Sequence, residues 1–293
     1  MAIINAIAIG KAKGSMGNMT LRYVKGDTIG SQKVLKKGKG GTRRQVKVRA
    51  RWGNIVNMYK SFGDALLLAF ETAKGRQSDF NMFCGKNISR SKVYLTAGEV
   101  RQGGAVVFPA MISEGSLPSI SLVLATGDVF ESNINVGSIA ITASTTLKAV
   151  STAIVNNNRD FQFGDQLSAF IVKQQMNSET FVPYVEVEKI EFTLDANDED
   201  TLFRDIAGAE AFSVVDGYLA FGQTVNGGVA YVHSRKTADG LKTSTQWLAV
   251  QNAILPTYES VQQMEDALVS YHADDEEPFL VPNIPDIPLA PEP

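Results

Sequence analysis

Residues 181–193 read Phe-Val-Pro-Tyr-Val-Glu-Val-Glu-Lys-Ile-Glu-Phe-Thr, a run of β-branched and aromatic side chains interleaved with charge, which is the composition of an extended strand. Val185, Val187, Ile190 and Phe192 do not alternate cleanly with their polar neighbours, which predicts a bulge or a register change inside the strand. Working outward, similar short runs occur at 92–96, 105–108, 119–125, 138–142, 166–172, 212–221 and 229–233, separated by Gly, Pro, Asn and Asp. That punctuation predicts the antiparallel strands of a sandwich or barrel rather than βαβ units. One helical insertion, around 145–155, interrupts the series.

The residues before this body have a different character. Residues 1–60 hold 14 Lys/Arg against a single acid, Asp27, while the remaining 233 residues hold 14 Lys/Arg against 30 Asp/Glu, so the whole-chain charge of −3 hides two strongly opposed parts. Separation of this kind favours contacts between copies, and a basic face alone attracts phosphate. The start, MAIINAIAIG, lacks a basic region ahead of it and reads as a strand, not a signal peptide. Met19–Val24 and the run 31–35 flank a Gly- and Asp-containing turn at 25–30, which predicts a β-hairpin.

Next come Lys36, Lys37, Gly38, Lys39, Gly40 and Gly41, too rich in glycine for a regular element and too charged to be buried. Thr42-Arg43-Arg44-Gln45 has the spacing of a capping box and predicts a helix from about Arg43. Val48, Trp52, Ile55, Tyr59, Phe62 and Leu66 recur every three or four residues, so this stripe is read as core and Arg44, Lys47, Arg51 and Lys60 as the wet faces. Gly53 and Gly63 each weaken a helix by about 1 kcal/mol relative to Ala, and a break is expected near 61–64. A second helix through 66–73 and a third from Ser78 complete the unit.

At the other end, Val261, Met264 and Leu268 form a helical stripe predicted to pack on the body. Residues 272–293 hold six acids, no Lys or Arg, and six of the ten prolines. Such density favours an extended polyproline-like arm, and Phe279, Leu280, Val281, Ile284, Ile287 and Leu289 make it stickier than an ordinary disordered tail. The fold class is therefore α+β, mainly β. It comprises a basic hairpin and helical domain at 1–90, an antiparallel sandwich or barrel-like body at 91–257, a packing helix at 258–271 and an acidic proline-rich arm at 272–293.

The sequence offers little for catalysis or metal chemistry. Cys84 is the single cysteine and His233 and His272 the only histidines, too few for a thiolate or imidazole zinc cage. Cys84 reads as a small buried hydrophobe. The segment 38–42 has the ingredients of a P-loop in the wrong order, although an anion at the helix start near Thr42, helped by Arg43 and Arg44, is physically allowed. The acidic cluster 195–200 lacks the Gly and Glu of a calcium loop and reads as a solvated turn. Neither histidine has a recognisable nucleophile context. A hydrolase would need a carboxylate pair in a cleft, which the sequence leaves open. No cofactor and no metal are expected, and no stretch reaches the roughly 18 apolar residues of a membrane span.

The order Gly14-Ser15-Met16-Gly17, the Arg22 and Lys25-Gly26 hairpin, and then Thr42, Gln45, Arg49 and Arg51-Trp52 resembles a family of uncharacterised proteins from Bacteroidetes bacteria and their phages, over roughly the first 85 residues. The β-rich remainder is similar in style to virion components of crAss-like tailed phages. The resemblance implies a non-enzymatic structural subunit of the portal–tail connector or tail, located in the virion and assembled in the host bacterial cytoplasm. Its expected partners are copies of itself in a ring and other virion proteins such as the portal and tail subunits. The basic face, Lys36, Lys37, Lys39, Arg43, Arg44, Lys47 and Arg51, is the expected assembly or phosphate contact. Phe279, Leu280, Ile284, Ile287 and Leu289 are the expected strap contacts. A DNA-binding or packaging-associated virion protein, gripping phosphates through the same basic residues, is the alternative.

Overall fold

The computed structural model describes residues 2–4, 13–17, 19–24, 27–32, 43–66, 69–71, 77–125, 129–221, 226–251 and 255–272. Its contacts divide the chain into two compact units, Met1–Gly41 and Thr42–Pro293. In the first unit, β1 (Ala2–Ile4), β2 (Gly14–Met16), β3 (Met19–Val24) and β4 (Asp27–Gln32) form an antiparallel sheet in the order β1-β4-β3-β2. β3 and β4 are the expected hairpin. Val24 pairs with Asp27, so only two residues separate the strands, and 27–30, expected in the turn, continue the ladder instead.

In the second unit, α1 (Arg43–Phe62) starts where the sequence predicts and stops at Phe62. Gly63 then takes φ +53°, a left-handed conformation that glycine adopts without a Cβ clash. The remaining elements are α2 (Asp79–Asn87), α3 (Ala97–Arg101), β5 (Met111–Ser113), β6 (Leu122–Ala125), β7 (Val129–Asn135), α4 (Leu147–Asn157), β8 (Gln166–Met176), β9 (Pro183–Thr193), β10 (Phe212–Val215), β11 (Tyr218–Phe221), β12 (Gly227–Thr237), β13 (Gly240–Thr243), β14 (Gln246–Trp247), β15 (Ala249–Gln251), α5 (Leu255–Tyr258) and α6 (Val261–His272). α2 and α4 begin at Ser78 and Thr146, whose hydroxyls accept from Asn81 N and Ala149 N. Each thereby satisfies a backbone donor that the first turn leaves free.

The mixed α+β, mainly β fold is built on open antiparallel sheets. β13-β12-β8-β9 is the central one, β10-β11-β7-β6 a second. The central sheet is covered on both faces. Phe170, Val172, Val185, Ala230 and Val232 join Ile55, Met58 and Phe62 of α1 and Phe83 of α2 in one core. Leu167, Ala169, Ile190, Phe192, Val229 and Tyr231 join Phe130, Phe212, Leu219 and Phe221 of the second sheet and Val150 and Ile154 of α4 in another. This two-faced burial corrects the expected bulge in β9: eleven successive pairs, from Gln166 opposite Thr193 to Met176 opposite Pro183, run without a register shift. Val185 and Val187 serve the helical core and Ile190 and Phe192 the inter-sheet core. The apolar phase changes because the covered face changes, not the backbone.

Several expected elements differ. Residues 92–96, 105–108 and 138–142 form no strand. Of residues 66–73, expected as a helix, the described ones do not form it: a short 3₁₀ turn ends at Leu66, and Phe70 bridges to Glu114, while 67–68 and 72–73 lie outside the described residues. Ala105, Val106, Val107 and Ala110 are fully buried, and side-chain amides take the place of a neighbouring strand. Asn54 Oδ1 accepts from Val106 N at 2.7 Å and Nδ2 donates to Val106 O at 3.0 Å. Asn57 donates to Gly104 O, and Gln174 accepts from Val107 N and donates to Ala105 O. Asn87 does the same for both backbone groups of Met111. A buried backbone must have partners, and here they come from side chains of α1, α2 and β8, with the Pro183 carbonyl of β9 accepting from Ala105 N and the Leu248 amide donating to Ala110 O.

Those amides also revise the reading of α1. Its buried positions are Val46, Ala50, Gly53, Asn54, Ile55, Asn57, Met58 and Phe62, whereas Val48 is 40% and Trp52 41% exposed. The core face thus includes small and amide residues that hydrophobicity alone does not mark, and Val48 and Trp52, assigned to the core, lie at the surface. Gly53 faces Val100 of α3, where a Cβ would come within 2.4 Å of Cγ2. Gly53→Ala, which in an exposed helix would gain stability, is expected here to cost about 1–3 kcal/mol through overpacking. Urea unfolding of the variant measures this directly. In α6, Val261 is 73% exposed and Ala267 and Leu268 are buried. Packing is carried by Ala267, with Met264 and Tyr271, against Ala50 and Tyr94, so the predicted stripe is correct at Met264 and Leu268 but not at Val261.

Candidate functional site

Two places in the second unit carry unusual chemistry. The first is the outer side of α1. Arg43 pairs with Glu265 of α6, so one cation of the expected contact face is neutralised within the chain. The Lys47 ammonium lies 5.7 Å from the centre of the Tyr94 ring, a cation–π distance. Arg51 reaches toward Ser91 O at 3.5 Å, and its buried Nε finds no partner. Arg44 and Arg49 are exposed. Arg44, Val48 and Trp52 follow one another at intervals of four and therefore form one row along the helix, in which Val48 and Trp52 keep two fifths of their surface in water. Trp52 meets Phe80 edge to face at 6.5 Å. Lys36, Lys37 and Lys39, and the strap residues Phe279, Leu280, Ile284, Ile287 and Leu289, lie outside the described residues.

The second place was not found in the sequence. Asp165, at the entry to β8, is fully buried and accepts four hydrogen bonds. Arg235 Nε donates to Oδ1 at 2.7 Å; Arg235 Nη2, His233 Nε2 and Gln162 N donate to Oδ2 at 2.7, 2.8 and 2.9 Å. Arg235 Nη2 also donates to Asp160 O at 2.8 Å. His233 and Arg235 stand two apart on β12, so they share a sheet face, and the cluster ties the 160–165 turn to that strand. Phe161 stacks on the His233 ring with centroids 4.4 Å apart and planes 26° from parallel. Burial by itself would raise the Asp165 pKa; the bonds from Arg235 and His233 outweigh it and hold the carboxyl at about 2. A carboxylate can only accept, so Nε2 carries the imidazole proton and the tautomer is fixed. Nδ1 has no protein partner among the described residues. His233 lines a cavity of about 280 Å³ whose wall also includes Ser119, Asn133, Arg159, Asp160 and Phe161.

Other candidates resolve into ordinary structure. In the acidic turn, Asp195 accepts from Asn197 N and Asp198 from Thr201 N, and Glu199 pairs with Lys148. Among the described residues no group of three His, Cys, Asp or Glu could hold a metal ion. Burial pushes the Cys84 thiol up to about 11, which suits a buried hydrophobe rather than a nucleophile. No described helix is long and apolar enough to cross a membrane. Comparison with protein-family models, with curated proteins and with solved structures finds no match.

Proposed function

We propose that this chain is a non-enzymatic structural subunit of a tailed-phage virion, forming a ring in the portal–tail connector or tail through contacts between copies. The observation that carries the reading is the Arg44–Val48–Trp52 row, an exposed apolar and cationic strip on a helix whose opposite side is locked into the core. Trp and Arg are the residues that most often dominate binding energy at interfaces. The complementary surface in this reading is the acidic, apolar 272–293 arm of a neighbouring copy, which has no Lys or Arg to oppose the attraction. The resemblance of the first 85 residues to phage and Bacteroidetes proteins supplies the virion setting.

The test compares the wild-type chain with Arg44→Glu and Trp52→Ala by sedimentation velocity. Arg44 is exposed, so Arg44→Glu should leave the unfolding temperature nearly unchanged, whereas Trp52→Ala also loses the Phe80 contact and should lower it; in both the oligomer should dissociate at least tenfold more readily under conditions where the variant is folded. Oligomers unchanged by both substitutions would remove this face from the assembly. The same exposed tryptophan beside Arg44 also suits the alternative, a protein that grips DNA, since aromatic rings and cations bind nucleic acid. In that case duplex binding falls steeply with salt and the chain stays monomeric.

A further inference from the structure

The cavity beside His233 lies apart from the α1 strip in the lining it presents. At about 280 Å³ it lies just under the usual range for drug-sized ligands, which limits an occupant to roughly one small ring. Its wall presents both kinds of hydrogen-bonding group. Asn133 uses Oδ1 to accept from Ser121 N, which leaves its Nδ2 as a donor. Arg159 and Asp160, both exposed, add a guanidinium and a carboxylate, and Ser119 adds a hydroxyl able to act either way. With Nε2–H committed to Asp165, Nδ1 of His233 is left without a protein partner among the described residues, and the four bonds on Asp165 fix where the ring sits. Phe161 supplies a flat apolar surface.

This combination discriminates between ligand classes. An anion would meet the Asp160 carboxylate, which opposes the one positive charge of the wall, Arg159. A cation would meet Arg159. A neutral molecule with several hydroxyls, each both donor and acceptor, can satisfy all of these groups at once, and its carbon face suits the aromatic ring. We propose that the cavity is a binding site for a small neutral polyhydroxy ligand of monosaccharide size.

Saturation-transfer NMR on the full chain, with D-glucose, D-galactose, D-mannose and D-ribose at millimolar concentration, tests this. At least one sugar should receive magnetisation from the protein. Arg159→Ala combined with Ser119→Ala should weaken that binding at least fivefold while leaving the unfolding temperature in place, since both side chains are exposed. The inference is overturned if none of the four sugars binds, if the double variant binds the sugar as well as the wild type, or if inorganic phosphate displaces the sugar and is itself weakened by the double variant.

Discussion

Asp165→Ala is expected to lower the unfolding free energy by about 3–5 kcal/mol at neutral pH, the usual cost of removing one partner from a buried charged cluster. The loss is large because the carboxylate satisfies two side chains at once. Without it, His233, 1% exposed, loses the partner of Nε2, and Arg235, only 22% exposed, loses both carboxylate bonds and keeps only the one to Asp160 O. The pH dependence is a second signature of the same group. Its pKa of about 2 in the folded chain lies below the ordinary value of 3.8. A depressed carboxylate contributes stability that is fully present above the unfolded value and is lost as pH falls through the folded one. That contribution is about 2 kcal/mol, retained above pH 4 and disappearing as pH approaches 2. Asp165→Asn, which cannot titrate, should show a correspondingly shallower acid limb. Urea unfolding of wild type and Asp165→Asn across pH 2–6 checks it; parallel curves would contradict the assignment.

Asn54→Leu should cost about 2–5 kcal/mol. Leucine is close in size and nothing is lost in apolar contact, so the effect isolates the hydrogen bonds. Both bonds to Val106 disappear, and the freed N–H and C=O, which are fully buried, each carry a penalty of about 1–3 kcal/mol. Hydrogen exchange at the Val106 amide should accelerate beyond the change in global stability. A variant within 1 kcal/mol of wild type would show that the 104–111 segment does not depend on this amide.

What the sequence disclosed followed from local chemistry. The α1 start, its break at Gly63, the Ser78 cap, the hairpin and the long strands β8, β9 and β12 all rest on residues within a few positions of one another. Failures occurred where distant residues decide the outcome. Residues 105–108 are apolar enough for a strand, yet their hydrogen bonds go to the side chains of Asn54 and Gln174 and to the Pro183 carbonyl, all distant in sequence. Val185 and Val187 looked out of phase with Ile190 and Phe192 because alternation assumes one buried face, and β9 has two. The Asp165 cluster joins positions 68 and 70 apart. Its single local trace is the i, i+2 pair His233 and Arg235 directly after the apolar run Val229–Val232, where a buried polar side chain is not tolerated without a partner. Val48 and Trp52 were assigned to the core by periodicity, and their exposure is what gives α1 a surface suited to contact.

The assembly reading stands or falls on the native mass of the purified full-length chain. Measured by native mass spectrometry across a hundredfold range of concentration, it should show one closed oligomer of fixed copy number, as expected for a ring of identical subunits. A monomer at every concentration would contradict it.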